Sequence, residues 1–276
     1  MADANTERGA AETLWVNTPV GDRVAYDVHD TGRGEGPAVV FIAGAGPYRA
    51  LDPNTAQTAV LLAERGIRTY VYDRIGRGES VAEGALTLER ELSAVAAVLE
   101  VAGGHAVLWG QSSGSAIALR AASDGLAVDG LALWEAPLAQ IQDADGWARE
   151  FARLVDAGDD LGALEHYSKD MPPEMLKALK ESPRLPQILQ TIPSQRADAA
   201  AIAWADRAIA TGGLATIAVP VLAMTGEITR PVMAQAATAI ATAVPNGRAV
   251  TVGGARHRWE PEAMAVAVAD FTRTLG

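Results

Sequence analysis

The chain has 276 residues, enough for two average domains or one large α/β unit with an insertion. Its 34 acidic residues outnumber 23 basic ones, for a net charge of −11. That argues against nucleic acid or an anionic membrane as partner, since either needs a basic face. Hydrophobic residues at 49% suffice for a core, and the absence of cysteine excludes disulfides, thiolate metal sites and cysteine nucleophiles. Only His29, His105, His166 and His257 can supply an imidazole.

Residues 1–13 are polar, with Asp3, Glu7, Arg8 and Glu12, and lack a basic segment followed by an apolar run, so no signal peptide is expected. No apolar run approaches the ~18 residues of a membrane span, and a cytoplasmic protein is the expectation. Residues 14–18 and 23–29 read as a hairpin turned at Gly21 and Asp22. A glycine-rich loop, 32–37, leads into the continuous apolar run 38–42, the pattern of a buried parallel strand. A helix over 55–65 stops at Gly66, and 69–72 is the next strand. A helix over 88–101, a strand at 106–109, a helix over 113–122 and a strand at 131–134 follow. The pattern is purely helical from 138 to 215 and broken by Pro172, Pro173, Pro183, Pro186 and Pro193. Strand–helix alternation then resumes: 220–224, 232–244, 249–252 and 262–275. This rhythm predicts a parallel sheet covered on both faces, with a helical insertion late in the sheet.

Gly110-Gln111-Ser112-Ser113-Gly114 follows an apolar strand and opens a helix. That is the setting of a nucleophile elbow, a turn so sharp that side chains two residues either side of the serine would clash. In that reading Ser112 projects above the carboxyl edge of the sheet, and the Ser113 N–H at the helix start can stabilise an oxyanion. The plain alternative is a glycine- and serine-rich helix cap.

A serine nucleophile needs a histidine base oriented by an acid. His257 lies between the last strand and the last helix, in a loop that leaves a parallel sheet at the same edge as Ser112. His29 lies at a strand end near the N-terminus, His105 precedes a strand, and His166 falls in the insertion; each is read as a surface or capping residue. For the acid, the loop after residue 224 carries Glu227, with Thr229 where an aspartate is expected; the loop after 134 begins with Glu135. Loop position within the sheet favours Glu135, and Glu227 stays the alternative.

Together these features resemble the α/β-hydrolase superfamily over nearly the whole chain. The stretch Tyr72-Asp73-Arg74-Ile75-Gly76-Arg77-Gly78-Glu79-Ser80 is similar to the superfamily's loop after its fourth strand, where Asp73 and Arg74 would be structural. The resemblance implies a mostly parallel sheet flanked by helices, with a core of residues 1–137 and 216–276 and a helical cap at 138–215. It also implies a triad in the order Ser112, Glu135, His257. Trp109 to Gly114, followed by Trp134-Glu135-Ala136-Pro137, is similar to a subset that carries its acid one strand earlier than usual, including uncharacterised bacterial hydrolases and the fungal zearalenone-type lactonases. The family's His-Gly after the third strand is replaced by Ala43-Gly44-Ala45-Gly46. A backbone N–H needs no particular side chain, so Ala45 can still donate to the oxyanion beside Ser113, with Gly46 as the other choice.

Other signals carry less. Gly44-x-Gly46 has Arg49 at the third glycine position of a dinucleotide fingerprint, and Gly76-x-Gly78 has Val81 there. The histidines are too scattered for a metal site, and Asp156, Asp159 and Asp160 lack the spacing of a calcium loop. No cofactor and no metal are expected. In the insertion, Trp147, Tyr167, Met171 and Trp204 are large side chains; Trp204 and Gly46 are the chosen substrate contacts, which favours a hydrophobic small molecule. The expected activity is hydrolysis of a carboxylic ester or lactone through an acyl-enzyme. The alternatives are a carbon–carbon bond hydrolase or cofactor-free perhydrolase with the same triad, and, from another class, a low-turnover ligand receptor or biosynthetic cyclase. The oligomeric state is open, a homodimer among the choices.

Overall fold

The computed structural model describes residues 13–32, 34, 36–138 and 141–275. The polar stretch read above as carrying no signal peptide lies, up to Glu12, outside them, as do Arg33 and Glu35 of the glycine-rich loop. Among the described residues the strands are β1 (Leu14–Asn17), β2 (Arg23–His29), β3 (Ala38–Ile42), β4 (Thr69–Tyr72), β5 (Ala106–Gln111), β6 (Val128–Trp134), β7 (Val221–Ile228), β8 (Gly247–Ala255) and β9 (Arg258–Trp259). They form one sheet in the order β1-β2-β4-β3-β5-β6-β7-β8-β9. Pairing is parallel from β4 through β8, and antiparallel where β1 and β2 join at one side and β9 at the other.

The helices are α1 (Pro53–Glu64), α2 (Leu88–Val101), α3 (Ser113–Ser123), α4 (Ala144–Asp156), α5 (Asp160–Tyr167), α6 (Pro173–Lys180), α7 (Leu185–Thr191), α8 (Gln195–Thr211), α9 (Pro231–Ala243) and α10 (Pro261–Arg273). Successive strand residues point to opposite faces, so β3, buried at all five positions, feeds two cores. Val39 and Phe41 join Leu62 of α1 and Met264 and Val268 of α10 on one face. Val40 and Ile42 join Val95 of α2, Ile117 of α3, Ile202 of α8 and Ile240 of α9 on the other. The strand–helix rhythm of the sequence is therefore the architecture of the molecule.

Helices α4 to α8 lie in the chain between β6 and β7 and pack on the α3 side of the sheet. Trp147, Phe151 and Tyr167 form their own aromatic cluster, with Trp147 only 4% exposed. Helix α8 carries buried alanines 197, 201, 205 and 208 at helical spacing, and α3, against which it packs, carries buried Ala118 and Ala121. Small residues on both surfaces let the two helices approach closely. No helix among the described residues is long and apolar enough to cross a membrane.

One element was invisible in the sequence. Beyond β8 the chain turns through Arg256 (φ 54°) and His257 (φ 70°) and returns as β9, pairing Gly254 with Trp259. The segment read as an open loop is thus a hairpin. Trp259 anchors it: 3% exposed, it meets Trp109 and Trp134 at ring separations of 4.8 and 6.0 Å and donates its indole N–H to Thr58 Oγ1 at 2.9 Å.

Trp259→Ala should therefore cost about 3–5 kcal/mol of stability, read as a lower urea midpoint at unchanged m-value. A loss under about 1 kcal/mol would mean that contacts other than this aromatic group hold the hairpin.

Candidate active site

Ser112 sits between β5 and α3 with φ 52° and ψ −124°, a conformation an L-residue adopts only when its surroundings impose it. Both flanking glycines are required by close contact. A Cβ on Gly110 would lie 2.6 Å from Ser115 Cα, and one on Gly114 would lie 2.3 Å from the Ile42 carbonyl oxygen. The Ser112 side chain makes no capping bond to α3, and the Ser113 hydroxyl is turned away to Asp198 at 2.6 Å. Neither serine side chain caps the helix; the Ser112 carbonyl takes the Ser115 N–H at 2.9 Å, while the Ser113 and Gly114 N–H groups meet no acceptor among the described residues, at the positive dipole end of α3.

Glu135 is the residue after β6 and also has positive φ, 43°. It is 1% exposed, with its Oε2 2.6 Å from His257 Nδ1 and its Oε1 accepting the Gly226 N–H at 3.0 Å. Gly226 allows this closeness, since a Cβ there would stand 3.3 Å from Oε1 and 2.9 Å from the Gly254 carbonyl oxygen. Burial pushes the Glu135 carboxyl up, but the His257 hydrogen bond and the Gly226 N–H help hold the group below its ordinary value. Glu227 is exposed at the end of β7 and does not meet His257.

Trp134 joins these positions. Its carbonyl accepts the Ser112 N–H at 2.8 Å, its indole N–H donates to the His257 carbonyl at 3.3 Å, and its own peptide leads into Glu135. The non-glycine residues with positive φ among those described are Ser112, Glu135, Arg256 and His257, all at this one edge of the sheet.

Facing the elbow, Gly44 packs so tightly that a Cβ would lie 3.0 Å from the Gln111 carbonyl oxygen and 3.1 Å from Ser112 Cβ. The next N–H groups, of Ala45 and Gly46, donate to no acceptor among the described residues. Gly46 has φ 99° and faces the insertion, with Gln195 Nε2 and Thr191 Oγ1 each 3.8 Å from where its Cβ would be. Behind this loop lies a buried charge cluster. Asp198 of α8, with no exposed surface, accepts from Arg74 Nη1 at 2.6 Å and Arg77 Nη2 at 2.7 Å as well as from Ser113. Burial pushes the Asp198 carboxyl up, but the two guanidinium groups bring it below its ordinary value, so it is ionised. Tyr167 reaches the same cluster, its phenol pushed well up by burial and by Asp198.

The other predicted contacts lie elsewhere. Trp204 is half-buried over the Arg120 guanidinium, 5.3 Å from ring centroid to Cζ, in a cleft with Thr87, Glu89, Arg196 and Arg207. It stands six residues, roughly 9 Å, along α8 from Asp198. Trp147 is buried in the aromatic cluster of the insertion. Of the aromatic residues named for a hydrophobic lining, Tyr167 comes beside Ser113, whereas Trp204 meets Arg120 and Trp147 the insertion's own cluster; the insertion atoms nearest Gly46, from Gln195 and Thr191, are polar. A helical periodicity shows that Trp204 is half-inside without showing which neighbour it faces. His29 pairs in register with Thr69 at the start of β4, His105 pairs with Asp129 before β5, and His166 bonds to the Trp147 carbonyl, all away from Ser112. Asp73, as expected, is structural, accepting the backbone N–H groups of Arg49 and Glu79 at 2.8 and 2.9 Å. Asp198 was missed, because a lone aspartate in an alanine-rich helix looks like a solvated polar residue. The four residues that separate it from Ser194, a second buried partner of Arg77, place both on one helix face and were the available signal.

Residues 39–271 match the model of the family described as the alpha/beta hydrolase family. Among solved structures, an alpha/beta hydrolase from Sphaerobacter thermophilus is 28% identical with a TM-score of 0.77, over 94% of this chain and 99% of that one. A thermophilic esterase from Thermogutta terrifontis is 23% identical with a TM-score of 0.69, over 96% and 99%. An esterase from Rhodococcus sp. ECU1013 is 21% identical with a TM-score of 0.62, over 96% and 99%. No curated protein matches the chain at a significant level.

Two outcomes follow from the geometry. Gly114→Ala should lower stability by about 1–3 kcal/mol, because its methyl meets backbone rather than a movable side chain; an unchanged urea midpoint would show that the elbow yields without cost. The Glu135 carboxyl contributes stability that is complete above the ordinary carboxylate range, near 4.3, and is lost as pH falls through its lowered value. Melting temperatures between pH 7 and pH 3 should thus fall less for Glu135→Gln than for wild type. Equal acid slopes would mean that the carboxylate is not held in its charged form by folding.

Proposed function

Because the chain belongs to the alpha/beta hydrolase family, we propose that it is a serine hydrolase that cleaves a carboxylic ester or lactone of a small molecule through an acyl-enzyme. The observation that carries this reading is the 2.6 Å hydrogen bond between His257 Nδ1 and the buried Glu135 carboxylate, at the sheet edge that also bears the strained Ser112. With Nδ1–H donated to Glu135, Nε2 is the nitrogen with the free lone pair, on an imidazole still 37% exposed.

Ser112 Oγ attacks the carbonyl carbon as its proton passes to His257 Nε2. The oxyanion lies between the Ser113 N–H at the start of α3 and the Ala45 N–H, the donor favoured over that of Gly46. Collapse expels the alkoxide, which takes the proton from His257; in a lactone the new hydroxyl stays tethered to the acyl chain. Water, deprotonated by His257, then attacks the acyl-enzyme and returns Ser112. Glu135 orients the imidazole and balances its transient charge. In this reading the subset with its acid on the earlier strand is the relevant one, and helices α4 to α8, residues 138–215, are a cap whose Thr191 and Gln195 border the substrate. Esterases among the structural neighbours support the ester class.

The test is intact mass after incubation with a fluorophosphonate, alongside turnover of ester and lactone panels. A single adduct is expected on wild type and none on Ser112→Ala, whose kcat should fall by about 10⁵–10⁶-fold. Glu135→Gln should lose on the order of 10³–10⁴ in kcat and Glu227→Gln less than about twofold. An adduct that survives in Ser112→Ala would overturn the nucleophile assignment. No adduct on folded wild type would favour a receptor or cyclase over a hydrolase.

A further inference from the structure

Asp198 is a buried ionised group that the mechanism above leaves unused. It accepts three hydrogen bonds of 2.6–2.7 Å from Arg74, Arg77 and Ser113, all without exposed side-chain charge. A helix can be docked by apolar packing as well as or better than by buried charge, and α8 already has an alanine face for the purpose. The directions of the bonds point to another purpose. Arg74 Nη1, besides meeting Asp198, donates to the carbonyl of Ala43 at 3.0 Å and of Gly44 at 3.4 Å. Arg77 Nη1 donates to the Gly44 carbonyl and, at 3.4 Å, to that of Pro47. The Gly44–Ala45 peptide is planar and trans, so fixing the Gly44 C=O toward the arginines fixes the Ala45 N–H in the opposite direction. On the other side, the Ser113 hydroxyl is held by the same carboxylate, one residue after Ser112.

We propose that Asp198 is a positioning residue for the oxyanion-binding amides: one buried carboxylate from the inserted helix α8 aligns the Ser113 N–H through its hydroxyl and the Ala45 N–H through Arg74 and Arg77. This rests on Ser112 being the nucleophile of a hydrolase. The insertion then does more than border the substrate, because the amide pair is aligned only while α8 is seated. Ser194 adds a second tie from the same segment, accepting Arg77 Nε at 2.7 Å.

The mildest test is Ser113→Ala, which keeps the backbone N–H and both arginine–Asp198 pairs and removes only the hydroxyl link. With p-nitrophenyl butyrate, kcat should fall about 10- to 100-fold with KM within about threefold. Affinity for phenylboronic acid, which forms a tetrahedral adduct on a reactive serine, should fall by the same factor as kcat. Asp198→Asn should show the same split and a larger loss of kcat, since the arginines are also released. A purely structural role would lower the melting temperature and leave the boronate affinity and kcat of folded Ser113→Ala within about twofold of wild type, and that result overturns the proposal. If Asp198→Asn does not fold, Ser113→Ala alone decides. Ser112→Ala separates the two readings: full activity there would sink the hydrolase assignment itself, whereas an inactive Ser112→Ala beside a fully active Ser113→Ala would sink only the role of Asp198.

Discussion

The peptide that joins Trp134 to Glu135 is the constraint on which the site depends. Its carbonyl takes the Ser112 N–H, which fixes the elbow against β6. Its N–H, from Glu135, is spent on the Met224 carbonyl of β7, so Glu135 leaves the sheet locked to the next strand. The Trp134 indole, with no exposed surface, then holds the His257 carbonyl from the far side. Three segments that are far apart in the chain are thereby indexed to one residue, and an error in the β6 register would displace all of them together.

Strain is concentrated at this edge. Ser112, Glu135 and His257 each hold a backbone conformation that costs an L-residue roughly 1–3 kcal/mol. Glycines at 44, 110, 114 and 226 answer that strain, each standing where a methyl would strike backbone or a functional atom. The 2.6 Å hydrogen bond between Glu135 and His257 joins two of these strained positions through their side chains.

A second layer is electrostatic. Arg74, Arg77, Asp198 and Glu91 are all nearly or fully buried and sum to zero charge, with Arg74 Nε 3.2 Å from Glu91. Removing one member would leave an uncompensated charge in a dry interior, the costly case for buried ion pairs. Because Asp198 belongs to α8 and the arginines to the loop after β4, this neutrality exists only when the insertion is docked on the sheet. The loop 43–47, caught between that cluster and the elbow, has the carbonyls of Ala43, Gly44 and Pro47 engaged by the arginines, while the Ala45 and Gly46 N–H groups meet no acceptor among the described residues.

The sequence alone determined whatever local chemistry dictates. Alternating apolar strands and helices define a covered parallel sheet, and the glycines two residues either side of Ser112 define an elbow, because the backbone there tolerates nothing larger. The histidine lying after the last long strand was legible for the same topological reason. Which glutamate meets it was not settled by either loop: Glu135 and Gly226 are 91 residues apart, and only the pairing of β6 with β7 brings that carboxylate to that N–H. The β8–β9 turn that carries His257 left no pattern, since a two-residue strand has no period to read. Trp204 and Asp198 lie on one helix, yet one faces Arg120 and the other Ser113. Periodicity says which side of α8 is inside; only the docking of α8 on α3 decides what each inside residue touches.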